Sequence, residues 1–384
     1  MFDYRPLTDP TEVLAIAQSA FSLRFPERRA AEQWLASELP NGRELYGVYE
    51  GDLLLSAYML YDFRMRLREA VVSMGGIGLL CSRLDARGKG AVRHMLTSCL
   101  QTMKGKGQVV SVLDPFDESF YRKYGWEKFS RLQRIEFSPG LLQIPGARDE
   151  RIICADLSFP DSASMAFYND YASRHHTLAQ RAKPEWDDRT RILEWSPDTA
   201  ARGVVRFTRD NEVVGLLGYD LSRKTDEYKQ TFTVNLLATE RDDVLREMLR
   251  YLKRLSHQVS VLRISLPTDH DLWPYLTHRP DKWTIRDVFM IRVVSMMALD
   301  GLAVESPDMS LGVDVEDQQA PWNHGVWELS VDSGVLHVRP GTRADLRCGI
   351  GPVSSVLSGF SSFRELISAR LIEPLETYHG QDLP

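Results

Sequence analysis

The segment from residue 71 to residue 126 constrains the fold more than any other part of the chain. It opens with Val71-Val72-Ser73-Met74-Gly75-Gly76-Ile77-Gly78-Leu79-Leu80-Cys81-Ser82, followed by Arg87-Gly88-Lys89-Gly90. Ala91, Met95, Leu96, Cys99, Leu100 and Met103 then recur at helical spacing, up to about Gly105. A second apolar strand follows, Val109-Val110-Ser111-Val112-Leu113, then Phe120-Tyr121-Arg122-Lys123-Tyr124-Gly125-Trp126. Strand, glycine turn, helix, strand is an order that builds an anion site at a helix start. The first amides of the helix have no partner within it, and the helix dipole adds positive charge behind them. Gly88 and Gly90 carry no Cβ, so the main chain can close on a phosphate. Neither Gly-x-x-x-x-Gly-Lys-Ser/Thr nor Gly-x-Gly-x-x-Gly occurs here, which removes the two commonest nucleotide loops.

A chain of 384 residues has room for two or three domains with proper cores. The formal charge of −6 argues against a nucleic-acid partner. No apolar run has membrane-spanning length, so no membrane partner is expected. Met1-Phe2-Asp3-Tyr4-Arg5 lacks the charged and apolar regions of a secretory signal, which makes a cytoplasmic location the expectation. Cys81, Cys99, Cys154 and Cys348 are scattered without metal-ligand spacing, and the side chains of His175-His176 diverge. No metal site is expected.

Along the chain, Val13, Ile16, Ala17, Ala20 and Phe21 mark a first helix, and Ala30, Trp34 and Leu35 a second over 28–38. Residues 45–49 and 53–59 form a hairpin turning at Gly51-Asp52, and a separate strand over 60–68 alternates Arg64, Arg66 and Arg68 with apolar residues. A strand over 132–137 closes the first domain, and Pro139-Gly140 and Pro145-Gly146 punctuate a linker. The second domain echoes the first: Gln258-Val259-Ser260-Val261-Leu262 repeats Gln108-Val109-Val110-Ser111-Val112-Leu113 after an amphipathic helix. Glu240-Arg241-Asp242-Asp243 stands where the first copy has its glycines. Carboxylates there suit the helix dipole and repel a pyrophosphate, so this copy should not hold a phosphate carrier. Phe289-Met290-Ile291-Arg292-Val293-Val294 opens a third unit, with strands over 309–316, 325–331 and 334–339 and two closing helices. The domains are thus 1–145, 146–287 and 288–384.

Arg87-x-x-Gly90-x-Val92, Met95-Leu96 and Tyr121-x-x-x-Gly125-Trp126 together resemble the GNAT N-acetyltransferases. Nearly the whole chain resembles the Eis (enhanced intracellular survival) branch. The resemblance implies an α/β fold of mixed sheets: tandem GNAT folds, the second degenerate and walling the substrate cleft, then a sterol-carrier-like α+β domain. It implies acetyl-CoA as co-substrate, held by Arg87, Gly88, Lys89, Gly90, Ala91, Val92 and Arg93. It also implies a splayed fourth strand near Leu80, Cys81 and Ser82 that pairs with the pantetheine arm, and a cleft lined by Phe116 and Asp117. Val92 replaces the usual Gly or Ala, a departure that loosens the fit around the pyrophosphate. A homo-hexamer follows from the resemblance alone.

Acetyl transfer to an amine sets two proton problems. An alkylammonium of pKa near 10 leaves only about one molecule in a thousand nucleophilic at neutral pH, a cost of roughly 4 kcal/mol without a base. The departing thiolate then needs a proton. By its position in the family motif Tyr121 is the expected acid, with Tyr124 a poorer match. The resemblance puts the base at the chain-end carboxylate, here Pro384, with a cleft Asp or Glu acting through water as the alternative. The acceptors implied are aminoglycoside-like compounds, polyamines or lysine side chains. A non-catalytic protein carrying a small ligand or lipid on the same scaffold is the competing expectation.

Overall fold

The structure, a computed structural model, describes residues 1–21, 43–182, 186, 199–222 and 230–378. The helix expected over 28–38 and Pro384 lie outside the described residues. Three mixed sheets organise the rest, and the chain falls into two compact units.

The first sheet takes β1 (Asp3–Pro6), β2 (Arg43–Glu50), β3 (Leu53–Leu67), β4 (Ala70–Ser82), β5 (Val110–Leu113) and β6 (Glu127–Lys128). β7 (Arg131–Phe137) does not close it, contrary to the sequence reading. Instead β7 pairs with β12 (Val261–Pro267) and β13 (Lys282–Asp287) in the second sheet, beside β8 (Ile152–Leu157), β9 (Thr199–Arg209), β10 (Glu212–Ser222) and β11 (Thr231–Ala238). The complementary surprise is β14 (Met290–Val293), expected to open the third unit. It enters the first sheet between β5 and β6, giving the order β1-β2-β3-β4-β5-β14-β6. All four of its side chains are fully buried, including Arg292.

The third sheet holds β15 (Leu302–Ala303), β16 (Met309–Glu316), β17 (Gly325–Asp332), β18 (Val335–Pro340), β19 (Leu346–Gly349) and β20 (Ile372–Pro374). It belongs to the same compact unit as the first sheet; the second sheet forms the other. An apolar cavity of about 460 Å³ lies in this third layer, bordered by Leu299, Leu329, Val331, Val353 and Phe363.

Two helices matter most for the site. α1 (Glu12–Phe21) buries Val13, Leu14, Ile16 and Ala17. α2 (Ala91–Gly105) buries Met95, Leu96, Cys99, Leu100 and Met103 at complete or near-complete exclusion from solvent. Five such side chains contribute on the order of 10 kcal/mol of gross burial. An absent N-cap costs about 1 kcal/mol. Packing therefore holds α2 while its first turn stays chemically open.

The hairpin differs from expectation in one respect. Residues 53–67 form a single strand rather than two, because β3 continues past Tyr61 without a break in its pairing to β4.

Candidate active site

β4 and β5 run parallel, and their pairing ends at Ile77↔Leu113. β4 continues to Ser82 on its other neighbour, β3. Between Gly78 and Cys81 it carries an extra residue, so Leu79 and Leu80 together face Tyr58 and Leu79 takes a left-handed φ of 49°. A bulge of this kind re-aims a strand. Beyond Ile77 the β5-facing edge of β4 has no strand beside it among the described residues, and its backbone groups need a ligand or water. The splay expected from the resemblance is present.

The chain then makes a short 3-10 turn over Leu84–Ala86 and reaches the glycines. Gly88 has φ 79° and Gly90 φ 90°, a region that costs other residues roughly 1–2 kcal/mol. Gly90 is the N-cap of α2, no side chain caps the helix, and no acidic residue sits in its first turn. A Cβ on Gly88 would meet nothing within 4 Å, so the loop is open to an incoming group.

Leu80, Cys81, Ser82, Arg87, Gly88, Gly90, Ala91, Val92, Arg93 and Phe116 line one cleft of about 630 Å³. Sequence reasoning missed five further walls: Ala20 and Phe21 of α1, Ala86, Phe120 and Tyr124. Nothing local marks Phe21 as a wall residue. Two expected residues are elsewhere. Lys89 does not line the cleft, and Asp117 caps α3 (Glu118–Arg122), accepting hydrogen bonds from the Ser119 and Phe120 amides.

Tyr121 sits on α3, 3 % exposed, edge-on to Phe116 and Phe120 at 5.4 and 5.2 Å between ring centroids. It does not itself line the cleft; Phe116, Phe120 and Tyr124 around it do. Burial first, and the charge of Asp114 second, push its phenol well above the ordinary tyrosine value. Asp114 is the first residue beyond the splay of β5. Cys81 is the thiol on the cleft wall, and burial pushes it up to about 12.

The second copy shows the same architecture with acidic residues in place of the glycines. β11 and β12 are parallel like β4 and β5, with α5 (Asp242–Arg254) between them; α4 (Ser162–Arg174) precedes this repeat. Asp243 occupies the first turn of α5, accepting from Arg209 at 2.7 Å and Arg241 at 3.1 Å. Arg209 also reaches Asp149 at 2.7 Å. Carboxylates of the chain itself occupy this helix start.

Residues 3–129 match an acetyltransferase (GNAT) domain family, residues 178–293 another acetyltransferase (GNAT) domain family, and residues 296–382 a sterol carrier protein domain. The chain is a GNAT acetyltransferase. It is 24% identical to an N-acetyltransferase of Streptomyces coelicolor and 22% to one of Streptomyces avermitilis. In each case the match covers 86% of this chain and 83% of the relative. Its fold is shared with a GCN5-related N-acetyltransferase from Anabaena variabilis, at TM-score 0.86 and 18% identity, covering 98% of this chain and 95% of that one. Eis1 from Mycobacterium abscessus shares it at TM-score 0.79 and 18% identity, over 98% and 94%. At such identities these likenesses speak to fold alone. The GNAT domains imply use of acetyl-CoA by this acetyltransferase. Among the described residues no helix is long and apolar enough to cross a membrane.

Proposed function

We propose that this acetyltransferase moves the acetyl group of acetyl-CoA directly onto a primary amine of a cationic acceptor, within one ternary complex. The observation that carries the reading is the continuity of a single cleft. It runs from the uncapped start of α2, past the free edge of β4, to the aromatic wall beside Tyr121. The amides of Ala91, Val92 and Arg93, with Arg87 and Arg93 nearby, suit the pyrophosphate. The free edge of β4 near Leu80, Cys81 and Ser82 suits the amides of the pantetheine arm.

The amine nitrogen attacks the thioester carbon, the C–S bond breaks, and the sulfur leaves as a thiolate that takes the Tyr121 hydroxyl proton; the second proton shed by the nitrogen as the amide forms restores the phenol. Burial keeps the phenol neutral, so its proton is present; the same upward shift makes it a weaker acid, so the proton passes only as the C–S bond breaks and negative charge gathers on sulfur. An acetyl-cysteine intermediate is disfavoured, because a Cys81 thiol pushed up to about 12 is almost entirely protonated near neutrality and a poor nucleophile. The ammonium proton goes to a carboxylate, for which Asp114, the residue after β5 whose charge bears on the Tyr121 phenol, is our candidate. The acceptor class is that of aminoglycosides, polyamines and lysine side chains.

The test has two parts. Isothermal titration with acetyl-CoA gives one site per chain, and free-thiol release across an amine panel identifies the acceptor. Tyr121→Phe keeps coenzyme affinity and lowers kcat by roughly a hundredfold or more, whereas Tyr124→Phe keeps most turnover. Full kcat in Tyr121→Phe would acquit the phenol.

A further inference from the structure

The sequence places Arg292 in an apolar run, Met290-Ile291-Arg292-Val293-Val294, where a charge has no obvious use. The fold buries it completely. Its partner Asp317, on the turn after β16, is 1 % exposed at the side chain, and Nη2 donates to both carboxylate oxygens at 2.8 and 2.7 Å. A buried ion pair is seldom kept for its stability, since two apolar residues of similar volume usually serve as well or better. Its retention calls for a geometric reason.

Both ends of the pair supply one. Nη1 of Arg292 donates to the backbone carbonyl of Tyr124, at the end of the short helical segment that carries Tyr121. The guanidinium occupies the space beside Gly125, which has φ 85° and where any Cβ would collide with it. It also lies over the Trp126 ring, 5.3 Å from the centroid. The turn holding Asp317 is fixed in its own right. Oδ1 accepts from the Gln319 and Ala320 amides at 3.0 Å each, and Oδ2 from Asn323 Nδ2 at 3.1 Å. The same turn touches α2: Thr97 Oγ1 donates to Gln319 at 2.7 Å, and Lys104 lies 4.7 Å from the Trp322 centroid. One turn of the third-sheet layer therefore grips the helix that opens at the glycine loop and, through Arg292, the segment that bears the phenol.

We propose that Arg292 and Asp317 are positioning residues that set the Tyr121 phenol against the thioester held at the start of α2. The role of the third-sheet layer in the reaction is then to hold two parts of the first domain in register. The inference rests on the reading of Tyr121 as the proton donor, and the experiment separates the two.

Asp317→Asn keeps the shape of the side chain and removes the charge. It lowers kcat roughly tenfold to a hundredfold, the penalty of a misplaced reacting group, while acetyl-CoA affinity stays within about twofold. Active fraction is counted by coenzyme stoichiometry, so partial unfolding cannot mimic the loss. In a Tyr121→Phe background the same substitution costs little further, because a phenol that is absent cannot be misplaced. If Asp317→Asn does not fold, the paired replacement Arg292→Met with Asp317→Leu takes its place in the cycle; it restores an apolar core and leaves the Tyr124 carbonyl without its donor. Full kcat in the substituted enzyme, or an equal loss with and without the phenol, overturns the inference alone. Unchanged kcat in Tyr121→Phe by itself sinks the proton-donor reading and the inference with it.

Discussion

As the proposed proton donor, Tyr121 can act only while its phenol is neutral, and its surroundings keep it neutral beyond the ordinary range. Burial disfavours the phenolate, and the Asp114 carboxylate disfavours it further. Both shifts are upward, so the acid form persists above pH 10. The kcat profile should show no alkaline limb from this group below about pH 10, and its acid limb should report the base that receives the ammonium proton. A fall in kcat centred below pH 9 that vanishes in Tyr121→Phe would contradict this. At this scale the sequence was informative where the signal was local. Tyr121 stands out in the sequence through the Tyr-x-x-x-Gly-Trp pattern that carries the family resemblance. Asp117 was not, because a carboxylate that caps a five-residue helix and one that lines a cleft look alike in a string of letters. Arg292 was invisible for a stronger reason: its partner is Asp317, and nothing in an apolar run announces a buried charge.

The proposed coenzyme site rests on the start of α2, and its counterpart in α5 is the natural control. Both helices follow a strand and precede a parallel one, and both bury an apolar stripe. One begins with glycines at positive φ. The other begins with Asp242 and Asp243, the latter held well below the usual carboxylate range, first by Arg241 and also by Arg209. Gly90→Ala forces a Cβ into a left-handed conformation at a cost of about 1–2 kcal/mol. Loop rearrangement that relieves this strain should weaken acetyl-CoA binding by roughly tenfold, tenfold being about 1.4 kcal/mol. The helix itself should persist, since its buried face outweighs the strain. Titration of the variant would show a weakened single site, and a second site in either protein would contradict the assignment of α5. This contrast was readable from sequence because glycine and carboxylate act where they stand. The bulge at Leu79 was not, since a left-handed leucine is imposed by pairing across to β3 rather than by its own preference. The unbroken length of β3 was missed for a similar reason: alternation of arginines marks a change of surroundings, not an end to pairing.

At the scale of the whole molecule, periodicity says that a segment is a strand and not which sheet receives it. Residues 132–137 read as a strand closing the first domain, and 289–294 as an apolar run opening the third unit. The first lies in the second sheet and the second in the first sheet, because the partners that select them are distant in sequence. The placement of β14 has a direct consequence for dissection of the chain. Met290, Ile291 and Val293 are fully buried between β5 and β6, and at about 2 kcal/mol each they approach the net stability of an ordinary domain, roughly 5–15 kcal/mol. A chain ending at Asp287 lacks this strand, so its first domain should fail to fold cooperatively and should not bind acetyl-CoA. A chain ending at Leu299 keeps the strand and loses Asp317, leaving the Arg292 charge buried without its partner, a penalty of about 3–5 kcal/mol. It too should lose the thermal transition and the calorimetric binding expected of the full chain. If instead the chain ending at Asp287 melted cooperatively and bound coenzyme at full affinity, β14 would be an ornament to the first sheet rather than part of its core.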